Sequence, residues 1–173
     1  MPDRLIVDGY NLMHADDELE ALMRQDLEAA RERLLSELEE YCAREERTAE
    51  VVFDAAGRGG PATSEQRASF LKVTYTAGGQ SADSYIEKLA YREPEGSRGK
   101  ALLITGDYDQ QKIASGAGLL RMSSREFVLE MRRSHEEATE ALRERGGRPH
   151  RGTLAARLPE DVKAALERLR KRE

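Results

Sequence analysis

The chain has 173 residues, enough for one domain of ordinary size with a small appendage, and its 39% hydrophobic content is sufficient for a core. No apolar run approaches the roughly 20 residues that cross a bilayer, and no signal-peptide core follows Met1, which argues against a membrane protein and favours a cytoplasmic one. The single cysteine, Cys42, excludes a disulfide framework and a thiolate zinc site within the chain, and the net charge of −5 argues against a general nucleic-acid coat protein.

The first predicted element is a short strand, Arg4 to Val7, whose apolar side chains occupy both faces as in a central parallel strand. It ends at Asp8, and the carboxyl ends of such strands are where open α/β sheets bind their ligands. Gly9 allows a sharp turn, and Asn11 brings an amide back toward the same place. A turn in which Asp8 and Asn11 only satisfy nearby backbone groups is equally compatible with this stretch.

The next elements are a helix and a second strand. Asp16 can cap a helix, and apolar residues at three- and four-residue spacing from Leu19 to Tyr41 predict one long helix with a single buried stripe. Glu50 to Phe53 predicts a second buried strand, which ends on Asp54. The loop that follows carries Arg58, which could reach an anionic ligand at this edge of the sheet, although a solvated surface loop fits equally well.

The strand and helix alternation then continues. Leu71 to Thr76 predicts a third strand nearer the sheet edge, and Ser81 can cap a helix that carries Asp83 in its first turn. In that position Asp83 could simply complement the helix dipole. Lys100 to Thr105 predicts a fourth buried strand, and Asp107, which follows it, could be only the N-cap of the next helix.

The last predicted elements lead into a basic tail. A short apolar element at 118–120 predicts a fifth strand, and Ser123 begins a capping box before a short helix. A second capping box at Ser134 predicts a separate polar helix. Residues 132–173 hold 12 Lys/Arg against 8 Asp/Glu, whereas the rest of the chain holds 16 against 25. The sequence therefore predicts a domain at 1–131 and a basic helical extension at 132–173.

Four aspartates are expected to meet at one end of this sheet. Strand and helix alternation predicts a three-layer α/β fold with a mainly parallel central sheet, which places Asp8, Asp54 and Asp107 at the carboxyl ends of strands with Asp83 facing them. Clustered carboxylates repel each other, and a divalent cation is the usual reason to hold them together. Ligands that are all oxygen favour Mg²⁺ or Mn²⁺ over zinc, and the implied chemistry is attack of a metal-activated water on a phosphodiester. The sequence has no Gly-x-Gly-x-x-Gly after the first strand and no Walker sequence, so a nucleotide cofactor loses its main support.

The order of these motifs resembles that of the YacP-like NYN family of PIN-like ribonuclease domains. The resemblance covers about the first three quarters of the chain and is carried by five stretches: Leu5-Ile6-Val7-Asp8-Gly9-Tyr10-Asn11, Val51-Val52-Phe53-Asp54-Ala55, Ser81-Ala82-Asp83-Ser84-Tyr85-Ile86-Glu87, Thr105-Gly106-Asp107-Tyr108 and Arg121-Met122-Ser123-Ser124-Arg125-Glu126. It implies metal binding by Asp8, Asp83 and Asp107. It further implies that Asn11 positions the first carboxylate or the substrate, and that Asp54 completes the acidic pocket or supports it from behind.

An RNA-binding surface beside the site is a further implication. The segment that holds Arg121, Ser123 and Arg125 resembles the basic patch of the family. Tyr10 and Tyr108 flank proposed metal ligands and are candidates for base stacking, although packing fits either of them equally well. Two residues depart from the family pattern, namely Ser84, where an acidic residue often follows the helix aspartate, and Gly106, where a serine often precedes the last aspartate.

The leading hypothesis is a metal-dependent endoribonuclease that requires Mg²⁺ or Mn²⁺. The aspartate cluster implies the metal, and the resemblance implies the activity, since one bacterial relative in this family is a ribosome-associated endoribonuclease that cuts messenger RNA. The implied partner is RNA, with the ribosome as a further candidate. The basic tail could bind either of them, and the oligomeric state stays open. Two alternatives remain. One is a non-catalytic RNA- or ribosome-binding module of the same fold, and the other, less favoured, is a structure-specific DNA nuclease.

Overall fold

The computed structural model describes residues 2–55, 60–92, 99–107, 110, 112 and 116–146. Arg58, Tyr108 and the tail beyond residue 146 lie outside the described residues, and the predictions made for them stay predictions. Residues 1–135 form one compact unit, and a second unit begins at Glu136. In the described part of the chain, no helix is both long and apolar enough to cross a membrane.

A six-stranded sheet forms the centre of the described fold. The strands are β1 (Arg4–Asp8), β2 (Thr48–Phe53), β3 (Thr63–Ala68), β4 (Leu71–Tyr75), β5 (Ala101–Ile104) and β6 (Leu120–Met122). Their order is β3-β4-β2-β1-β5-β6, and each neighbouring pair is parallel except β3 with β4. β1 therefore lies in the interior of the sheet, as its uninterrupted apolar run predicts.

Helices cover both faces of the sheet. They are α1 (Gly9–Ala15), α2 (Asp17–Gln25), α3 (Leu27–Glu45), α4 (Ala82–Arg92) and α5 (Ser124–Gly146). Side chains alternate along each strand, so Leu5 and Val7 of β1 join one core with residues of α1, α2, α3 and α5, whereas Ile6 joins a second core with Ile86 of α4. All three β1 side chains are fully buried. The predicted three-layer α/β fold with a mainly parallel sheet is confirmed.

The single long helix predicted between the first two strands is wrong. Three helices lie there, and aspartates divide them. Asp16 caps α2 as predicted, accepting hydrogen bonds from Glu18 N and Leu19 N at 2.9 and 3.2 Å. Asp26 caps α3 by accepting one from Ala29 N at 2.9 Å, and its extended backbone, with φ at −149°, ends α2. The apolar spacing continues across the break because α2 and α3 both pack against the same core.

The strand β3 is not predicted from the sequence, because it is polar and exposed. Its residues, TSEQRA, show no apolar alternation, and it pairs antiparallel with β4 at the edge of the sheet. β4 is consequently one strand in from the edge. Its polar residues Lys72 and Thr74 both donate hydrogen bonds to the buried Glu50, at 3.0 Å from Oε1. This pairing explains why polar residues occur in a strand inside the sheet.

The separate helix predicted to begin at Ser134 is also wrong, because α5 runs without a break from Ser124 to Gly146. The capping box predicted at Ser123 is confirmed, since Glu126 N donates to Ser123 Oγ at 3.2 Å and Ser123 N donates to Glu126 Oε2 at 2.9 Å. Ser134 is instead a buried residue whose hydroxyl accepts a hydrogen bond from Arg44 Nε at 2.7 Å. The hydroxyl predicted to cap a helix is thus used to join two helices.

Candidate active site

The carboxyl ends of the parallel strands bring the predicted acidic residues to one side of the sheet. Asp8 is the last residue of β1, half-exposed Asp54 follows β2 directly, and exposed Asp107 lies three residues after the end of β5. Asp83 is exposed in the first turn of α4, the helix that follows β4. These residues therefore share the edge at which open α/β sheets bind their ligands.

Asp8 is the buried member of the group, with 6% of its surface exposed. Its Oδ1 accepts a hydrogen bond from Asn11 N at 3.0 Å and so caps α1, while its Oδ2 accepts one from Gln110 Nε2 at 3.4 Å. Burial raises the pKa of Asp8, and the negative charges of Asp83 and Asp107 raise it further, against the effect of the two hydrogen bonds. Asp8 therefore has the local capping role that the sequence left open. It also experiences the expected repulsion from the other carboxylates.

Gln110 connects two of the carboxylates and was missed by sequence analysis. The side chain is 4% exposed, and its Nε2 donates to Asp83 as well as to Asp8. Its Oε1 is buried and has no hydrogen-bond partner among the described residues. The available signal was the spacing Asp-x-x-Gln, which is typical of a capping box, and Asp107 Oδ1 indeed accepts a hydrogen bond from Gln110 N at 3.2 Å.

Asp107 forms, with Gln110 N, the hydrogen bond expected of an N-cap, which was one of its two predicted roles. Its backbone N also donates to Thr105 Oγ1 at 3.1 Å, which holds the connection after β5 close to the strand. An N-cap bond uses one carboxylate oxygen and does not by itself exclude a ligand role. Metal binding by Asp8, Asp83, Asp107 and Asp54 stays a prediction.

Asn11 joins three separate parts of the chain at this site. Its Oδ1 accepts hydrogen bonds from Gly106 N at 2.7 Å and from the buried Ser124 Oγ at 2.9 Å. A Cβ at Gly106 would lie 2.6 Å from this oxygen, so the absence of a side chain at residue 106 is what allows the contact. The Asn11 side chain therefore positions the connection after β5 and the start of α5, whereas its backbone N contacts Asp8. Ser124, a second residue missed by sequence analysis, carried no signal beyond its place beside a capping serine.

The described RNA-binding candidates lie at β6, the strand next to β5. Arg121 is exposed on β6, and Arg125 is exposed in the first turn of α5. The Ser123 hydroxyl donates to Glu126 Oε2 at 2.6 Å and so takes part in the capping box. Two arginines with exposed side chains thus stand near the carboxyl end of β5, and their contact with RNA stays a prediction.

Tyr10 packs against its neighbours, which is one of the two roles that its position allowed, and base stacking by Tyr10 stays a prediction. Its ring lies edge-on to Phe53 with centroids 5.3 Å apart, and its hydroxyl accepts a hydrogen bond from Arg31, which is 7% exposed. The Arg31 guanidinium also lies 5.3 Å from the centre of the Tyr10 ring. Gly9 is needed at this point, because a Cβ would lie 2.4 Å from the Phe53 ring.

The chemistry of the donors fits a hard divalent cation. Asp8, Asp83, Asp107 and the Gln110 amide supply oxygen atoms, which Mg²⁺ and Mn²⁺ prefer. Within the described ranges, no three His, Cys, Asp or Glu side chains are grouped as a ready-made metal site. The Gln110 amide, hydrogen-bonded to both Asp8 and Asp83, lies between those two carboxylates.

Comparison with known proteins gives consistent matches over nearly the whole chain. The sequence profile of the YacP-like NYN domain family matches residues 5–171, which includes the tail that the motif resemblance left out. "Uncharacterized protein YacP" of Bacillus subtilis (strain 168) is 31% identical over 169 residues, which are 98% of this chain and 97% of that protein.

Two crystal structures of Rae1 (YacP) from Bacillus subtilis have the same fold. One, of a point mutant, aligns with a TM-score of 0.72 at 27% identity, covering 96% of this chain and 99% of that chain. The other aligns with a TM-score of 0.70 at 30% identity, covering 98% and 95%. The chain belongs to the YacP-like NYN domain family and has its PIN-like nuclease fold.

Proposed function

We propose that this protein is a divalent-metal-dependent endoribonuclease whose active site contains Asp8, Asp83 and Asp107. The observation that carries the proposal is the buried Asp8 carboxylate, which ends a central parallel strand and is held against the charges of the other two aspartates. Holding like charges together lowers stability, and such arrangements are retained where they serve a site. Membership in a family with a nuclease fold supports the same class of activity.

Asp8, Asp83 and Asp107 would hold the cation, with Asp54 completing the acidic pocket. When bound, Mg²⁺ or Mn²⁺ would stabilise negative charge on the phosphate and lower the pKa of a water molecule toward neutral pH. The protein's own residues orient the pocket, since the Asn11 N–H fixes Asp8 Oδ1. Through its Oδ1, the Asn11 side chain positions the connection that carries Asp107.

The substrate is proposed to be RNA, bound mainly through its phosphates. Arg121 and Arg125 are exposed beside the site and supply positive charge, with Arg58, Tyr108 and Ser123 as further candidates. The basic extension at 132–173 would add affinity for RNA or for the ribosome without taking part in the chemistry.

Cleavage of mixed RNA by the full chain tests the proposal, with Mg²⁺ or Mn²⁺ in one arm and excess chelator in the other. We expect cleavage only with the cation, and products with 5′-phosphate ends, because water and not the ribose 2′-OH attacks. Asp83→Asn should abolish cleavage, whereas Asp26→Asn, in the exposed cap of α3, should not. Full cleavage in chelator, or cyclic phosphate ends, would contradict the proposed mechanism.

The second candidate function is a non-catalytic RNA- or ribosome-binding module. One observation favours it, namely that the described residues contain no ready-made metal group. The two candidates differ in one experiment, because a binding module retains labelled RNA on a filter without shortening it in the presence of Mg²⁺ or Mn²⁺. A DNA oligonucleotide of matched sequence in the same assay tests the DNA nuclease alternative.

A further inference from the structure

A buried glutamine stands between two of the carboxylates of the proposed active site. Gln110 is 4% exposed, and its Nε2 donates hydrogen bonds to Asp8 Oδ2, at 3.4 Å, and to Asp83 Oδ1. One amide group therefore bridges a carboxylate from the end of β1 and another from the first turn of α4. It places two N–H donors where a shared cation would also be attracted.

The other end of the same amide has no such role. Gln110 Oε1 is buried, and no donor in the described part of the chain forms a hydrogen bond with it. Buried amide oxygens are almost always paired, since an unpaired one loses its bonds to water without replacement. A glutamine that served only to neutralise Asp8 and Asp83 would gain stability from a donor at Oε1. An oxygen without a donor beside two carboxylates suits a positively charged ligand.

A cation bound between Asp8 and Asp83 is incompatible with the amide in this orientation. The N–H groups of Gln110 direct partial positive charge at the same oxygens that the cation would occupy. Rotation about the last side-chain bond exchanges Nε2 and Oε1 with almost no change in volume. The amide then presents to the cation an oxygen of the kind that Mg²⁺ and Mn²⁺ accept as a ligand.

We propose that Gln110 is a further ligand of the divalent cation through Oε1, and that in the absence of the cation its amide holds Asp8 and Asp83 together. This proposal rests on the proposed function, which supplies the cation. Gln110 thus stabilises the carboxylate group in both conditions, as a hydrogen-bond donor in one and as an oxygen ligand in the other.

The test measures Mn²⁺ binding to the full chain by isothermal titration calorimetry, without RNA, and the melting temperature in chelator. Gln110→Met keeps the volume but removes both the donor and the oxygen, whereas Gln110→Glu removes the donor and keeps an oxygen. Gln25→Ala, at the exposed end of α2, is the matched control and should change neither quantity.

Gln110→Met is expected to weaken Mn²⁺ binding on the order of tenfold. It should also lower the melting temperature in chelator by about 2–6 °C, because the carboxylates lose their bridge. Gln110→Glu should lower the melting temperature as well, but it should bind Mn²⁺ more tightly than the wild type, because it adds a negative charge.

Mn²⁺ binding by Gln110→Met that is as tight as in the wild type, or tighter, would overturn the proposal, since the amide would then only compete with the cation. If Gln110→Met does not fold, Gln110→Glu decides, and unchanged or weaker binding overturns the ligand role. A wild type that binds no Mn²⁺ refutes the proposed function as well. A wild type that binds Mn²⁺ and cuts RNA, with both Gln110 variants binding equally well, refutes only the role of Gln110.

Discussion

Asp8 and Asp16 form a matched pair in which the effect of the proposed active site on stability can be measured. They are 6% and 7% exposed, and each caps a helix. Their electrostatic surroundings are opposite. Asp8 faces other carboxylates, whereas Asp16 Oδ2 accepts a hydrogen bond from Arg132 Nη2 at 2.8 Å. Replacement by asparagine removes the charge and keeps the cap, because asparagine caps helices about as well as aspartate.

The two pKa shifts give opposite dependences of stability on pH. Burial raises the pKa of Asp8 above its ordinary 3.8, so the ionised carboxylate lowers stability at neutral pH, and this effect fades as the pH falls through the raised pKa. Burial alone would raise the pKa of Asp16, but hydrogen bonds from Leu19 N, Arg132 and Glu18 N outweigh it and lower that pKa. Asp16 therefore contributes stability above pH 3.8 that is lost as the pH falls through its lowered pKa.

Asp8→Asn should raise the free energy of unfolding in chelator by roughly 0.5–2 kcal/mol, the usual gain when a residue kept for function is replaced. Asp16→Asn should lower it by about 1 kcal/mol, a modest loss because solvent screens Arg132, whose side chain is 53% exposed. The melting temperature of a chain of this size changes by about 2–4 °C per kcal/mol. The two variants should therefore melt about 3–12 °C apart at pH 7.

Thermal unfolding followed by circular dichroism in chelator, between pH 7 and pH 4, measures this difference. The gap between the two variants should narrow toward acid pH, because Asp8, whose pKa is raised, is then being neutralised, whereas Asp16, whose pKa is lowered below 3.8, stays ionised. An Asp8→Asn protein that melts below the wild type at pH 7 would refute the reasoning. It would show that Asp8 is not held against like charges, and the electrostatic ground for a cation site would be removed.

Asp107→Asn keeps the cap on Gln110 N, so we expect an unchanged melting temperature in chelator and a loss of RNA cleavage on the order of 100-fold or more. An Asp107→Asn protein that cuts RNA at the wild-type rate would leave Asp107 only its cap. Gly106→Ala places a Cβ 2.6 Å from Asn11 Oδ1 and should disrupt the two hydrogen bonds of that oxygen. Thermal melts should show a loss of about 1–3 kcal/mol, and a similar loss in Gly116→Ala, where no described atom lies within 4 Å of the new Cβ, would contradict this account. Removing residues 147–173 should weaken RNA binding in filter assays and flatten its salt dependence, since phosphate contacts are lost, and unchanged binding would exclude this role for the tail.

The parts of the fold that sequence predicted are those in which burial alone determines the residue type. β1 and β5 are buried on both faces, so their apolar runs identify them directly. β3 has no such requirement, because it lies at the exposed edge and is held by backbone hydrogen bonds to β4. The break between α2 and α3 was hidden for a related reason. Asp26 interrupts the backbone but not the apolar spacing, because both helices pack on one core.

The candidate site was predictable as far as strand ends determine it. Asp8 ends one buried strand and Asp107 follows another, and parallel pairing brings the ends of those strands together. Gln110 was not predictable, because a glutamine three residues after a capping aspartate is ordinary in exposed helices. Its burial depends on β1 and α4 meeting around it, which no local pattern encodes. The contact of Asn11 with Ser124 likewise exists only in the folded sheet.

Asn11 has a consequence for how the protein is made. Its side-chain oxygen is bonded to residues 95 and 113 positions later in the chain. Contacts of such sequence separation close late in folding, and a chain still under synthesis cannot form them at all until Ser124 has emerged. A nascent chain therefore contains Asp8 long before Gly106 and Ser124, the residues that Asn11 contacts, have been synthesised. Under the proposed function, the RNA-cutting centre would therefore be inert beside the messenger that encodes it until translation of its own domain is almost finished.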